Sequence, residues 1–162
     1  GALARDVEHM QRTLILGGAT VLTFTLPDLT PVLPLARPIA GRIRLLNETL
    51  RSVSASTGAV LVDLAAHPVA SDPRLWSPDR LHANTVGHTR IAAALAHALG
   101  LPGTDDAWAQ PLPPVAPPTT RERIAAEIQW GRRYFLPWAW GHVRGGSSSD
   151  GRGPKRPNLE PL

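Results

Sequence analysis

Leu3, Val7, Met10 and Leu14 recur at helical spacing, with Arg5, Asp6, Glu8 and Arg12 between them. This pattern predicts an amphipathic helix ended by Gly17-Gly18. Residues 20–26 form a β-branched, apolar run stopped by Pro27, the pattern of a buried strand. Pro27, Pro31, Pro34 and Pro38 then impose a loop or broken turn. Ile39, Ile43, Leu46, Leu50 and Val53 predict a second amphipathic helix, ending near Gly58. Residues 59–64 read as a second buried strand, Ser71-Asp72-Pro73 as a turn or short helix start, and residues 86–99 as a third helix stopped at Gly100 and Pro102. Helices alternating with continuous apolar strands imply an α/β fold, a three-layer parallel sheet flanked by helices. In such folds ligands sit beyond the carboxyl ends of the strands.

Residues 104–120 are Pro-rich and read as an extended polyproline linker. Beyond them Ile124, Ile128 and Trp130 keep helical spacing behind the capping residues Thr119 and Thr120. Trp138 and Trp140 follow in an aromatic cluster. From Gly145 the chain turns Gly/Ser/Pro-rich and basic, the composition of a disordered tail. The expected organisation is a domain over 1–103, a linker over 104–120, a helix and Trp-rich segment over 121–144, and a basic tail over 145–162.

Composition and charge narrow the chemistry. The chain of 162 residues has no cysteine, which removes disulfides, zinc-thiolate sites and thiol nucleophiles. No apolar run is long enough to span a bilayer. The first residues do not read as a signal peptide, because charges interrupt any apolar core; this favours a cytoplasmic protein and leaves the compartment open. The net charge of +4 sits in residues 130–162, where Arg132, Arg133, Arg144, Arg152, Lys155 and Arg156 face only Asp150 and Glu160. A basic arm of this kind can contact nucleic acid or an anionic surface. No base-stacking module accompanies it, so a solvated tail is the simpler reading and nucleic acid is not an expected partner.

The candidate chemistry lies in Leu75-Trp76-Ser77-Pro78-Asp79-Arg80-Leu81-His82, just ahead of the third helix. An aspartate three residues before a histidine can orient an imidazole so that it takes a proton from a hydroxyl nucleophile. The spacing alone is equally met by an exposed Asp and a surface His before a helix. His88 reads as structural, and Asp63 as a strand-end residue capping the next turn. His9, His67, His97 and His142 have no partner pattern, so a metal site is not expected. Trp130, Trp138 and Trp140 with Arg132 and Arg133 can be read as a nucleic-acid or carbohydrate platform, or as rings that pack a tail helix onto the domain.

Asp79-x-x-His82, followed by Gly87-His88 and Ile91-Ala92-Ala93-Ala94-Leu95, resembles the last block of the SGNH (GDSL-type) hydrolases. Gly18 to Pro27 resembles the strand and loop those enzymes carry before that block. The ending from Ser147 to Pro157 resembles that of a subset from high-GC actinobacteria. The resemblance covers nearly the whole chain. It implies a flavodoxin-like, three-layer fold present as its carboxyl-terminal half. It also implies ester hydrolysis by Ser-His-Asp chemistry without a cofactor, with Asp79 orienting and His82 acting as base, on a small ester substrate. The family's Gly-Asp-Ser turn and its oxyanion Gly and Asn blocks have no counterpart here. Ser52, Ser54 and Ser56 fall in or at the end of a helix, Ser77 is too close to His82, and Gly146 to Gly151 is no nucleophile elbow. Asn47 is mid-helix and Asn84 follows His82, so neither matches the oxyanion asparagine. The expectation is therefore a chain with half of an active site, inactive alone, and self-associating through uncovered strands. The rival reading is a non-enzymatic remnant or a binding module built on the Trp-containing tail.

Overall fold

A computed structural model describes residues 1–145 of the chain. The first helix, α1 (Ala2–Leu16), leads into a short strand, β1 (Leu22–Phe24). A Pro-rich bend and one 3-10 segment (Pro34–Ile39) precede α2 (Ala40–Thr57). That helix stops at Gly58, whose φ of 84° is open to glycine and strained for other residues. The second strand, β2 (Val60–Val62), pairs in parallel with β1, Leu22 opposite Val60 and Phe24 opposite Val62. Three 3-10 turns between Leu64 and Leu75 lead to the candidate loop, and α3 (Thr85–Ala98) follows.

The three-layer parallel-sheet fold expected from the sequence is not what forms. Among the described residues the sheet has two strands of three residues each, and helix dominates the chain. The apolar runs at 20–26 and 59–64 signal strand type, yet only their middles find a backbone partner. Neither strand is sandwiched between two covered faces, and Phe24 keeps 45% of its surface exposed. The flanking helices correspondingly lack a broad sheet to cover. α1 packs on α2 through buried Gln11, whose Nε2 donates to Thr23 Oγ1 (2.8 Å) and Ser54 Oγ (3.3 Å). Its apolar stripe of Leu3, Met10 and Leu14 is left in solvent.

The core is small. Val62, Leu64 and Ala94 are buried together, with Ile91, Leu95 and Trp108 packed against them. Trp108 brings part of the Pro-rich stretch onto α3, where Arg90 Nη1 donates to the carbonyls of Trp108 (2.8 Å) and Gln110 (2.6 Å). Arg74 Nη1 holds the Pro113 carbonyl at 2.6 Å. The expected extended linker is thus tied down over its first half.

Two buried polar groups fix the ends of the strands. Asn47, mid-helix in α2, accepts from the Leu26 amide (2.9 Å) and donates to the Leu26 carbonyl (2.7 Å). Fully buried Thr25 donates to Asp63 Oδ1 (2.7 Å) and accepts from the Ala65 amide (2.9 Å). Arg51 closes a two-pronged ion pair on the same carboxylate, at 2.8 and 2.9 Å. These contacts leave Asp63 structural rather than poised for chemistry.

The chain divides into two compact units, Gly1–Pro114 and Val115–Leu162. In the second, α4 (Thr120–Trp130) starts with a reciprocal capping box between Thr119 and Glu122. It runs through a π-helical segment (Gly131–Phe135) into α5 (Leu136–Val143). Pro137 accounts for the widening: it has no N–H to offer Arg133, and its ring presses on that carbonyl in an α-helix. The tail expectation lies outside the described residues, apart from Gly145.

Candidate active site

The loop that carries Asp79 and His82 is built as a small hairpin. Trp76 and Ala83 form an antiparallel bridge, and the Ser77 amide donates to the His82 carbonyl at 2.7 Å. The Arg80 amide donates to the Ser77 carbonyl (2.8 Å), closing a β-turn with Pro78 in its favoured position. Arg80 takes the left-handed conformation, φ 63°, unusual for a residue with a side chain. This reversal sends the chain back so that the Leu81 and His82 amides both reach Asp79 Oδ1, at 3.0 and 3.1 Å.

The loop is anchored below by Asn84 and Gly87. Asn84 caps α3, its Oδ1 accepting from the Gly87 amide at 3.0 Å. Its Nδ2 donates to the carbonyls of Arg74 (2.7 Å) and Trp76 (3.2 Å), while its amide donates to the Leu75 carbonyl (2.9 Å). Gly87 is buried where a methyl group would collide with the Leu75 carbonyl oxygen. Trp76 Nε1 donates to the Ala70 carbonyl at 3.1 Å, and Ser77 Oγ to the Ala83 carbonyl at 3.2 Å.

Asp79 and His82 are brought together. Asp79 Oδ2 lies 2.7 Å from His82 Nδ1, with Oδ1 held by the two amides. Partial burial raises the Asp79 carboxyl. The His82 ring and the Leu81 and His82 amides more than offset this, so Asp79 is held below its ordinary value of 3.8. A carboxylate at Nδ1 favours the tautomer with the proton there and leaves Nε2 as the basic atom. The His82 side chain is 77% exposed, against 28% for Asp79. Its Nε2 has no hydrogen-bond partner among the described residues.

No described serine is hydrogen-bonded to His82. Ser54 is buried against Gln11, Ser56 bonds the Val53 carbonyl, and Ser77 ties the hairpin. Ser147, Ser148 and Ser149 lie outside the described residues. His88 is exposed on the first turn of α3, and His67 packs edge-on against Trp108 at 4.5 Å. Asn47, set aside as a mid-helix residue, serves the Leu26 backbone. The sequence places Gly87 in the motif beside His88 but does not announce its close packing or the anchoring role of Asn84; an Asn ahead of the third helix was the available signal.

A cleft of about 320 Å³ opens near the carboxyl ends of both strands, lined among others by Leu26, Ile43, Arg44, Glu48 and Ala65. Neither Asp79 nor His82 lines it. The Asp79–His82 pair and the cleft therefore do not coincide. Among the described residues, no group of three or more His, Asp or Glu side chains is placed to hold a metal ion. No helix there is long and apolar enough to cross a membrane.

Comparison with known proteins adds no relative: no family model, curated protein or solved structure matches the chain.

Proposed function

We propose that these residues supply the acid–base half of an SGNH-type ester hydrolase, with Asp79 orienting and His82 acting as general base. The observation that carries this reading is the 2.7 Å contact between Asp79 Oδ2 and His82 Nδ1, in a loop whose backbone fixes the other carboxylate oxygen. In the reaction, His82 Nε2 takes the proton from a serine hydroxyl as it attacks the ester carbonyl. It then returns that proton to the leaving alcohol. Asp79 stays ionised and balances the imidazolium between the two transfers. The substrate is a small ester. The serine and the oxyanion donors come from outside the described residues, and without them the attacking group and the largest electrostatic contribution are both missing.

The absence of a described serine bonded to His82 favours a second reading, a non-enzymatic remnant in which the dyad is a stabilised loop. Two preparations separate the readings: the 162-residue chain alone, and the chain expressed with the coding sequence that precedes Gly1 in its gene. On the first reading the chain alone hydrolyses short p-nitrophenyl esters no faster than its His82→Ala variant. The longer product turns them over, and loses that turnover with His82→Ala. A longer product without His82-dependent hydrolysis would overturn the esterase reading.

A further inference from the structure

The helical stretch from Thr120 to Val143 has no buried residue in any of its three segments. It nevertheless carries Trp130, Phe135, Trp138 and Trp140, together with exposed Ile124, Ile128, Leu136 and Val143, the last at 80% exposure. These apolar groups are ordered relative to one another. Trp130 stacks on Phe135 (centroids 5.8 Å apart), Phe135 meets Trp138 (6.0 Å), and Trp138 meets His142 (4.4 Å).

The π segment makes this row possible. In an α-helix, residues five apart sit about 140° apart around the axis. The wider π turn brings positions i and i+5 onto one side, which is where Trp130 and Phe135 meet. Cations frame the row. Arg133 lies over the Tyr134 ring at 5.8 Å and Arg144 over the Trp140 ring at 4.7 Å. The stretch and its C-cap hold Arg121, Arg123, Arg132, Arg133 and Arg144 against only Glu122 and Glu127.

We propose that this helix lies flat on an anionic lipid surface, with the Trp130–Phe135–Trp138 row seated among the headgroups and the arginines paired with lipid phosphates. Indole rings favour the boundary between headgroup and acyl chain, and arginines reach anionic headgroups beside them. An interfacial helix needs neither the length nor the uniform apolarity of a spanning one. Charge complementarity selects an anionic surface. The exposed aliphatic residues favour lipid over nucleic acid, because Leu136 and Val143 offer nothing to bases. The rings of the row also stack on one another, rather than standing apart as a platform for successive bases.

The test uses the full chain with vesicles of phosphatidylcholine, alone or mixed with phosphatidylglycerol, followed by co-sedimentation and tryptophan emission. The chain is expected to sediment with the anionic vesicles, with blue-shifted emission and weaker binding as salt rises. Phe135→Ser with Trp138→Ser should lower the partition about tenfold, because apolar contact at the boundary is lost. Arg132→Glu with Arg133→Glu should lower it about tenfold on anionic vesicles only. Circular dichroism of both double variants checks that the helix persists. No sedimentation with anionic vesicles, or an undiminished partition in both variants, would overturn the proposal. Tighter binding to a single-stranded RNA at the same salt, dependent on the same rings, would assign the surface to nucleic acid instead and also overturn it. None of these readouts depends on ester hydrolysis.

Discussion

Asp79 grips His82 twice: one carboxylate oxygen lies 2.7 Å from the ring Nδ1, and the other accepts the backbone amide of the same histidine at 3.1 Å. The imidazole is therefore oriented by a carboxylate whose own position is fixed through the backbone of its partner. An incidental surface pair of long side chains gains little from such contact. A pair locked to two consecutive backbone amides loses less freedom when it forms.

The loop's anchors should matter more for stability than the dyad does. Gly87→Ala forces a methyl group against the Leu75 carbonyl and should cost about 2 kcal/mol through overpacking. Asn84→Ala removes the cap of α3 and two bonds to loop carbonyls, about 1–2 kcal/mol. Chemical denaturation of both variants beside Asp79→Asn checks this. Asp79→Asn is expected to be the mildest of the three.

Acid should weaken the fold through Asp63. Its hydrogen bonds from Arg51, with that from Thr25, hold its carboxyl below the ordinary 3.8 despite partial burial. A carboxyl depressed on folding adds stability that is fully present above 3.8 and is lost as pH falls through the lower folded value. The melting midpoint is thus expected to hold steady from neutral pH down to about 5 and to drop below 4. Asp63→Asn should lower the neutral midpoint, because Thr25 and Arg51 lose their charged acceptor, and should flatten the acid limb. An unchanged acid limb in that variant would place the sensitivity elsewhere.

The solvent-facing stripe of α1 should promote association. Leu3, Met10 and Leu14 are exposed in line, and Phe24 on the nearby edge strand is half exposed. Light scattering of the full chain at rising concentration should show self-association. Leu3→Gln with Met10→Gln and Leu14→Gln should reduce it without lowering helicity.

The first four helices were legible in the sequence because their signals are local, whereas α5, which carries Pro137 inside an aromatic cluster, was not. Gly58 stops α2 and Thr119 with Glu122 starts α4, each by chemistry within a few residues. The sheet was not legible. β-branched runs at 20–26 and 59–64 announce strands, but periodicity does not count how many neighbours a strand finds. The face that α1 buries was missed for a related reason. Leu3, Met10 and Leu14 promised the inner side, whereas Gln11 took it by bonding Thr23 and Ser54 across the fold. Asn47 was likewise invisible, since its partner, the Leu26 backbone, lies twenty-one positions away.

Of the candidate site, the pairing of Asp79 with His82 was legible, because the two stand three positions apart in one loop. The left-handed Arg80 that makes the pairing possible was not, because nothing in its residue type asks for a positive φ.

The most direct test of the account is the tautomer of His82, read by long-range proton–nitrogen correlation NMR at a pH where the ring is neutral. The account predicts a proton on Nδ1, facing Asp79, and a bare Nε2, with the preference lost in Asp79→Asn. A proton found on Nε2 in the unsubstituted chain, or a tautomer indifferent to Asp79→Asn, would contradict the claim that Asp79 sets His82 up as a base.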